Sequence, residues 1–297
     1  MTAQRVRILA HAKLNLFLRI LAREQGGYHQ IETAFALLEL ADELIVTRTT
    51  AGVELVVEGP DLGPADDNLA VRGARAVLAA TGDRFGVRIE LTKRVPVRAG
   101  LGGGSSDAAA ALAAVNALAG NAVPRHELLQ LAARLGADVA FFASSAPLAL
   151  AWGRGQRLYR LATLPAAAAL VALPPVAIAT PDAYRWWDDA HRDAAPRGAV
   201  LLDADALGSW GSIGRLGAND FELPVFGKHA EIRTLFERLA ATGPLWVRLC
   251  GSGSAVAAVF RTPQTRDDAA AQLGGRHQQL FPTTTRAVEA GGPEVLD

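Results

Sequence analysis

The sequence predicts an α+β fold in two domains. Strand-like and helix-like stretches mix without strict β-α alternation, which argues against a doubly wound sheet. A length of 297 residues points to two domains, and a half-hydrophobic composition supplies enough apolar material for large cores. We set the boundary near residue 155, giving segments 1–155 and 156–297, because strand and loop patterns dominate beyond it.

Residues 13–20 alternate as a strand, with Leu14, Leu16, Leu18 and Ile20 on one face and Lys13, Asn15, Phe17 and Arg19 on the other. Residues 43–48 and 53–57 are β-rich and flank Thr50-Ala51-Gly52, which predicts a hairpin. Asn68 caps a helix that runs to about Ala80 and is ended by Gly82. Residues 87–91 alternate as a further strand. An alanine-rich helix is expected from about Ser106 to Ala119, stopped by Gly120, and Pro124 opens another that ends at Gly136.

Residues 161–180 carry no charge, but Pro165, Pro174 and Pro175 interrupt them. A buried strand at 169–173 followed by a Pro174-Pro175 loop fits better than a membrane span. The polar segment that follows, with Trp186 and Trp187, is the least regular part of the pattern. A helix is expected around 228–241 and a strand at 245–249.

Lys plus Arg equals Asp plus Glu, at 30 each, so the chain does not have the charge excess that drives binding to nucleic acid or to a membrane surface. Cys250 is the one cysteine, which rules out an intrachain disulfide and fits a reduced, cytoplasmic setting. The first nine residues, with Arg5 and Arg7 and no apolar core, do not read as a signal peptide.

The chemistry concentrates in one loop: Pro96, Val97, Arg98, Ala99, Gly100, Leu101, Gly102, Gly103, Gly104, Ser105 and Ser106 lie between a predicted strand and a predicted helix. Four glycines in five positions let the backbone approach a ligand closely, and a helix N-terminus beyond them favours an anion. Ser105 and Ser106 add hydroxyls for phosphate oxygens, and Ser106 is the candidate ligand for Mg²⁺. No Gly-Lys-Ser/Thr follows the glycines, so this is not a Walker A loop.

Two charged residues stand in apolar surroundings, Lys13 beside Asn15 and Asp138 before Val139-Ala140-Phe141-Phe142. Phosphoryl transfer to an alcohol needs a proton acceptor and positive charge near the transferring oxygens, and an Asp held by a Lys meets both needs. Read locally, Lys13 is equally a lysine snorkelling from an edge strand, and Asp138 a carboxylate capping the next turn.

Three segments together resemble the GHMP kinases: Ala12-Lys13-Leu14-Asn15, residues 100–109 with the glycine loop, and Gly251-Ser252-Gly253-Ser254. Gly27-Tyr28-His29, the run Gly136-Ala137-Asp138, Gly153-Arg154-Gly155 and Asn219-Asp220-Phe221-Glu222 narrow the resemblance to members that act on a cytidylylated polyol. The resemblance implies a two-domain GHMP kinase fold with ligands in a cleft between the domains, ATP with Mg²⁺ as donor, and an alcohol as acceptor. It implies Lys13 and Asp138 as the catalytic pair, with Asp138 as base or hydroxyl-orienting group and Lys13 neutralising developing charge. Tyr28 and His29 match residues that grip the cytosine ring, Tyr184 is the candidate opposing aromatic, and Asn15 helps position the substrate. A family member acting on a sugar, homoserine or mevalonate is the alternative. The expected partner is a small molecule, and the expected state a monomer or homodimer.

Overall fold

The computed structural model describes residues 3–192, 207–215, 219–274 and 278–296. Two long antiparallel strands, β1 (Arg5–Arg23) and β2 (His29–Thr49), form the spine of the larger sheet. β1 begins well before residue 13, and much of its length is buried on both faces, so polar alternation marks only part of it. Along β2 the partners change: residues 31–36 pair with β5, and residues 43–49 pair with β4.

The expected hairpin at residues 50–52 is not formed. β3 (Val53–Glu58) is followed by α1 (Leu69–Ala80) and then β4 (Gly86–Thr92), and β4 lies between β2 and β3. β3 therefore pairs in parallel with β4, Val53 opposite Val87, rather than antiparallel with β2. The alternating apolar side chains of β4, Val87, Ile89 and Leu91, are buried, and this non-local pairing displaces the local one. The Asn68 side chain caps α1 as expected, accepting from the Ala70 N–H at 2.9 Å.

Three helices follow: α2 (Gly103–Leu118), α3 (Arg125–Leu135) and α4 (Ala137–Ala143). α2 is buried on nearly every side because it packs against α1, α4 and the long strands, and its alanines allow that close approach. β5 (Leu148–Gly153) and β6 (Arg157–Arg160) complete one end of the larger sheet.

The second sheet begins with β7 (Ala168–Leu173), the buried strand expected there. α5 (Thr180–Ala190), α6 (Trp210–Arg215), α7 (Glu222–Lys228) and α8 (Ala230–Ala240) lead to β8 (Trp246–Leu249) and β9 (Val256–Phe260). α9 (Pro263–Leu273) and β10 (Gln279–Thr284) close this four-stranded antiparallel sheet in the order β10-β7-β9-β8, and β11 (Glu294–Val295) returns to pair with β1. Part of the segment called least regular, residues 193–200, lies outside the described residues. Among the described residues, no helix is long and apolar enough to cross a membrane.

Candidate active site

Lys13 and Asn15 sit two residues apart on β1 and so project to one face. Lys13 is buried, and its ammonium donates to Asn15 Oδ1 at 2.5 Å. Asn15 Nδ2 donates to Thr33 Oγ1 at 2.9 Å, and Thr33 in turn donates to the Phe17 carbonyl at 2.5 Å. Asn15 is thereby fixed in rotation, and it holds the lysine in place. A buried ammonium needs such partners, because its desolvation is otherwise costly. Lys13 Nζ lies 3.7 Å from Asp138 Oδ2 and 5.3 Å from the centroid of the Phe35 ring. Asp138 stands in the first turn of α4, and its side chain is 36% exposed. A buried cation thus faces a carboxylate that still reaches solvent.

The glycine loop passes directly over this pair. The Lys13 N–H donates to the Leu101 carbonyl at 3.0 Å, which ties the first strand to the loop. Gly102 adopts φ +74°, and a β-carbon there would fall 2.9 Å from the Phe142 ring and 3.2 Å from Lys13 Cε. Gly100, at φ +78°, abuts the carbonyl of Cys250. Ala255 N–H donates to the Ala99 carbonyl at 3.3 Å. The turn at residues 251–254 therefore clasps the loop from the other sheet. Cys250 beneath it is fully buried, and burial pushes its thiol up to about 12, so it packs as a small apolar side chain.

A cavity of about 590 Å³ opens beside these groups, lined by Lys13, Asn15, Asp138, loop residues 96–105 and the rings of Tyr184 and Phe221. α2 begins at Gly103, a turn earlier than expected, so the N–H groups of residues 103–105 open the helix without intrahelical acceptors. Ser106 lies deeper than residues 102–105. It is already inside the first turn, its N–H donates to the Gly102 carbonyl at 2.9 Å, and it is buried. It borders a separate cavity of about 80 Å³ beside His11.

Of the three aromatic candidates, His29 and Tyr184 come together and Tyr28 stands apart. The His29 and Tyr184 rings stack at 4.3 Å with an interplanar angle of 17°, and Phe221 meets Tyr184 edge-on at 4.9 Å. Burial first, and the Asp138 charge second, push the Tyr184 hydroxyl up to about 12, which leaves it a neutral donor. Tyr28 is exposed, and the Arg154 guanidinium covers its ring at 4.0 Å from the centroid. Trp187 is buried, packs edge-on against His29 and stacks on His191 at 4.4 Å.

Several contacts around the site escaped the sequence reading. Asp188 Oδ1 lies 2.7 Å from His29 Nε2 and holds that ring. Asn219 Nδ2 donates to the Leu249 and Gly251 carbonyls at 3.0 and 2.6 Å, and Asp220 Oδ2 accepts from the Ile20 N–H at 2.7 Å. These bonds join β1 to the turn that clasps the loop. Behind the loop, the Lys93 ammonium donates to Asp107 Oδ2 at 2.8 Å and also to Asp42, whose other oxygen accepts from the Arg94 and Val95 N–H groups at 2.6 and 2.8 Å. Burial works against the Lys93 charge, but Asp107 and Asp42 outweigh it and hold the ammonium above its ordinary value.

Burial drives the Asp107 carboxyl from 3.8 up to about 7, with Lys93 opposing the rise and Asp42 adding to it. The folded protein therefore binds more protons than the unfolded chain between those values. The stability this group contributes is fully present below about 3.8 and is lost as pH rises through about 7. Asp107→Asn removes the titration. The difference in Tm between variant and wild type is expected to be more positive at about pH 8 than at about pH 5.5, by calorimetry. A difference independent of pH would contradict this.

A buried ammonium, a partly exposed carboxylate and a glycine loop at a helix N-terminus thus meet in one cleft. Residues 68–146 match the family model of the GHMP kinases N terminal domain, and residues 201–278 match that of the GHMP kinases C terminal domain. The chain belongs to the GHMP kinase family. Within that family it is similar to the 4-diphosphocytidyl-2-C-methyl-D-erythritol kinases. The protein of that name from Solibacter usitatus is 37% identical over 266 residues, covering 88% of this chain and 83% of that one. The one from Paraburkholderia phymatum is 40% identical over 269 residues, covering 89% and 87%. A crystal structure of 4-(cytidine 5'-diphospho)-2C-methyl-D-erythritol kinase superposes with a TM-score of 0.78 at 36% identity, covering 96% of this chain and 100% of that one.

Proposed function

We propose that the chain transfers the terminal phosphoryl group of ATP to the 2-hydroxyl of 4-diphosphocytidyl-2-C-methyl-D-erythritol, a step of non-mevalonate isoprenoid biosynthesis. The observation that carries this reading is the 3.7 Å approach of Lys13 to Asp138 under the glycine loop, in a cleft walled on another side by Tyr184 and Phe221. Asp138 receives or orients the acceptor hydroxyl, and Lys13 offsets negative charge as the transferring oxygens separate. Asn15, fixed by Thr33, keeps the ammonium aimed. The N–H groups of residues 103–105 and the loop backbone cradle the phosphates.

Mg²⁺ belongs to this reading as the companion of the nucleotide. Among the described residues no group of three or more His, Cys, Asp or Glu stands where it could hold an ion, and a magnesium ion carried by nucleotide phosphates needs only one or two carboxylates from the protein. The same reading takes 1–155 and 156–297 as the two domains, and a cytoplasmic monomer or homodimer as the working form.

An ADP-release assay tests it, with the cytidylylated polyol, the free polyol, homoserine and mevalonate as acceptors. Turnover is expected with the cytidylylated acceptor at a kcat/KM at least about 100-fold above the others. Equal rates with the free polyol, or a preference for homoserine or mevalonate, would overturn the assignment.

The cytosine end of the cleft makes a separate prediction. If Tyr28 supplies a stacking face once Arg154 moves off it, Tyr28→Ala raises KM for the cytidylylated acceptor by about 10-fold and leaves KM for ATP unchanged. Equal effects on both constants would take Tyr28 out of base recognition.

A further inference from the structure

Gly153-Arg154-Gly155 forms the turn between β5 and β6, and the glycines on either side of Arg154 adopt left-handed backbone at φ +73° and +96°. The Arg154 side chain reaches the turn between β1 and β2, where the Glu24 N–H donates to the Tyr28 carbonyl at 2.7 Å. Its Nε donates to Glu24 Oε2 at 3.0 Å, and its Nη2 donates to the same oxygen. The guanidinium lies over the Tyr28 ring at 4.0 Å from the centroid.

Two cavities meet at this side chain. Arg154 lines the cleft of about 590 Å³ and also a neighbouring cavity of about 390 Å³, whose walls include Glu24, Glu32 and Gln156. No other described residue lines both, and Tyr28 lines neither. The guanidinium therefore stands between the Tyr28 ring and the cleft. It is held there by modest forces, a cation–π contact and an ion pair whose side chains are 47% and 27% exposed.

We propose that Arg154 gates the base end of the cleft: it masks the Tyr28 ring, and a base-bearing acceptor stacks there only after displacing the guanidinium into the neighbouring cavity. This rests on the reading of Tyr28 as a base-stacking residue and goes further, naming the group the base must displace, its latch and its destination. A guanidinium and a nucleobase compete for the same ring face, because both are flat and both stack on aromatic rings. Glu24 is the latch, since one carboxylate oxygen takes both N–H groups that aim the guanidinium at the ring. Glu32, which pairs with Arg19 at 3.5 Å, gives the destination a carboxylate of its own. The two flanking glycines lack the β-carbons that would restrict re-aiming the turn.

The test uses the full-length protein, with cytidine 5'-monophosphate as binding probe and the cytidylylated acceptor as substrate. Arg154→Ala is expected to lower the Kd for the probe and the KM for the acceptor by about 5-fold each, with kcat and the Kd for ATP within about 2-fold of wild type. Glu24→Gln, which loosens the latch but keeps the guanidinium, is expected to shift both constants the same way by about 2-fold. In a Tyr28→Ala background, Arg154→Ala is expected to change neither constant, because no ring is left to mask. Unchanged constants in Arg154→Ala would overturn the proposal. So would raised ones, which would make the guanidinium a ligand of the acceptor, or an equal gain without the Tyr28 ring. If Tyr28→Ala alone leaves KM unchanged, the base-stacking reading falls and the gate with it. If Tyr28→Ala raises KM but Arg154→Ala lowers nothing, the gate alone falls.

Discussion

Replacing Asp138 with alanine is expected to lower kcat by about a thousandfold while leaving the Kd for ATP within about 3-fold of wild type. Asp138 stands in the first turn of α4, outside the glycine loop, so its loss leaves the phosphate cradle in place. What is lost is the oxygen that would accept or orient the acceptor hydroxyl. Lys13 then keeps its bond to Asn15 but has no carboxylate opposite it. Stopped-flow measurement of ADP release, alongside direct ATP titration, separates the two effects. A variant retaining more than about a tenth of wild-type kcat would remove Asp138 from the chemistry.

Gly100→Ala is expected to act through the scaffold with a comparably large effect. The added β-carbon would lie 1.8 Å from the Cys250 carbonyl oxygen and 2.6 Å from its carbon, both backbone atoms that no rotamer change can move. The φ of +78° adds a left-handed penalty. Either the loop or the turn at 251–254 must shift, breaking the junction at which Ala255 bonds Ala99. We expect a loss of about 3 kcal/mol or more in unfolding free energy, measured by urea denaturation, and ATP affinity reduced along with it. Wild-type stability and affinity in this variant would show that the two sheets do not meet through Gly100.

How much of this was legible in the chain depended on how local each signal was. The cap at Asn68, the strand at 87–91 and the helix closing at Gly136 rest on neighbouring residues, and each appears where expected. The hairpin at residues 50–52 failed because the competing strand, β4, comes from beyond an intervening helix. The start of α2 lies three residues earlier than expected because Gly103 and Gly104 are part of the helix, which puts Ser106 inside its first turn and buries it. Lys13 and Asp138 stood out as charges in apolar surroundings, yet only their resemblance to a known family joined them. The Lys93 cluster and the His29–Asp188 contact left no trace, since each partner is ordinary alone and the pairs lie up to 159 positions apart. The motif at 219–222 was visible as a resemblance, but its work of tying β1 to the clasping turn needs three dimensions.

The central claim is that Lys13 and Asp138 act as one unit. A double-mutant cycle on kcat, with Lys13→Ala, Asp138→Ala and the double variant, each checked for an intact ATP Kd, tests it most directly. The account predicts that the double variant is about as slow as the slower single variant. A double variant slowed by the full product of the two single factors would contradict it.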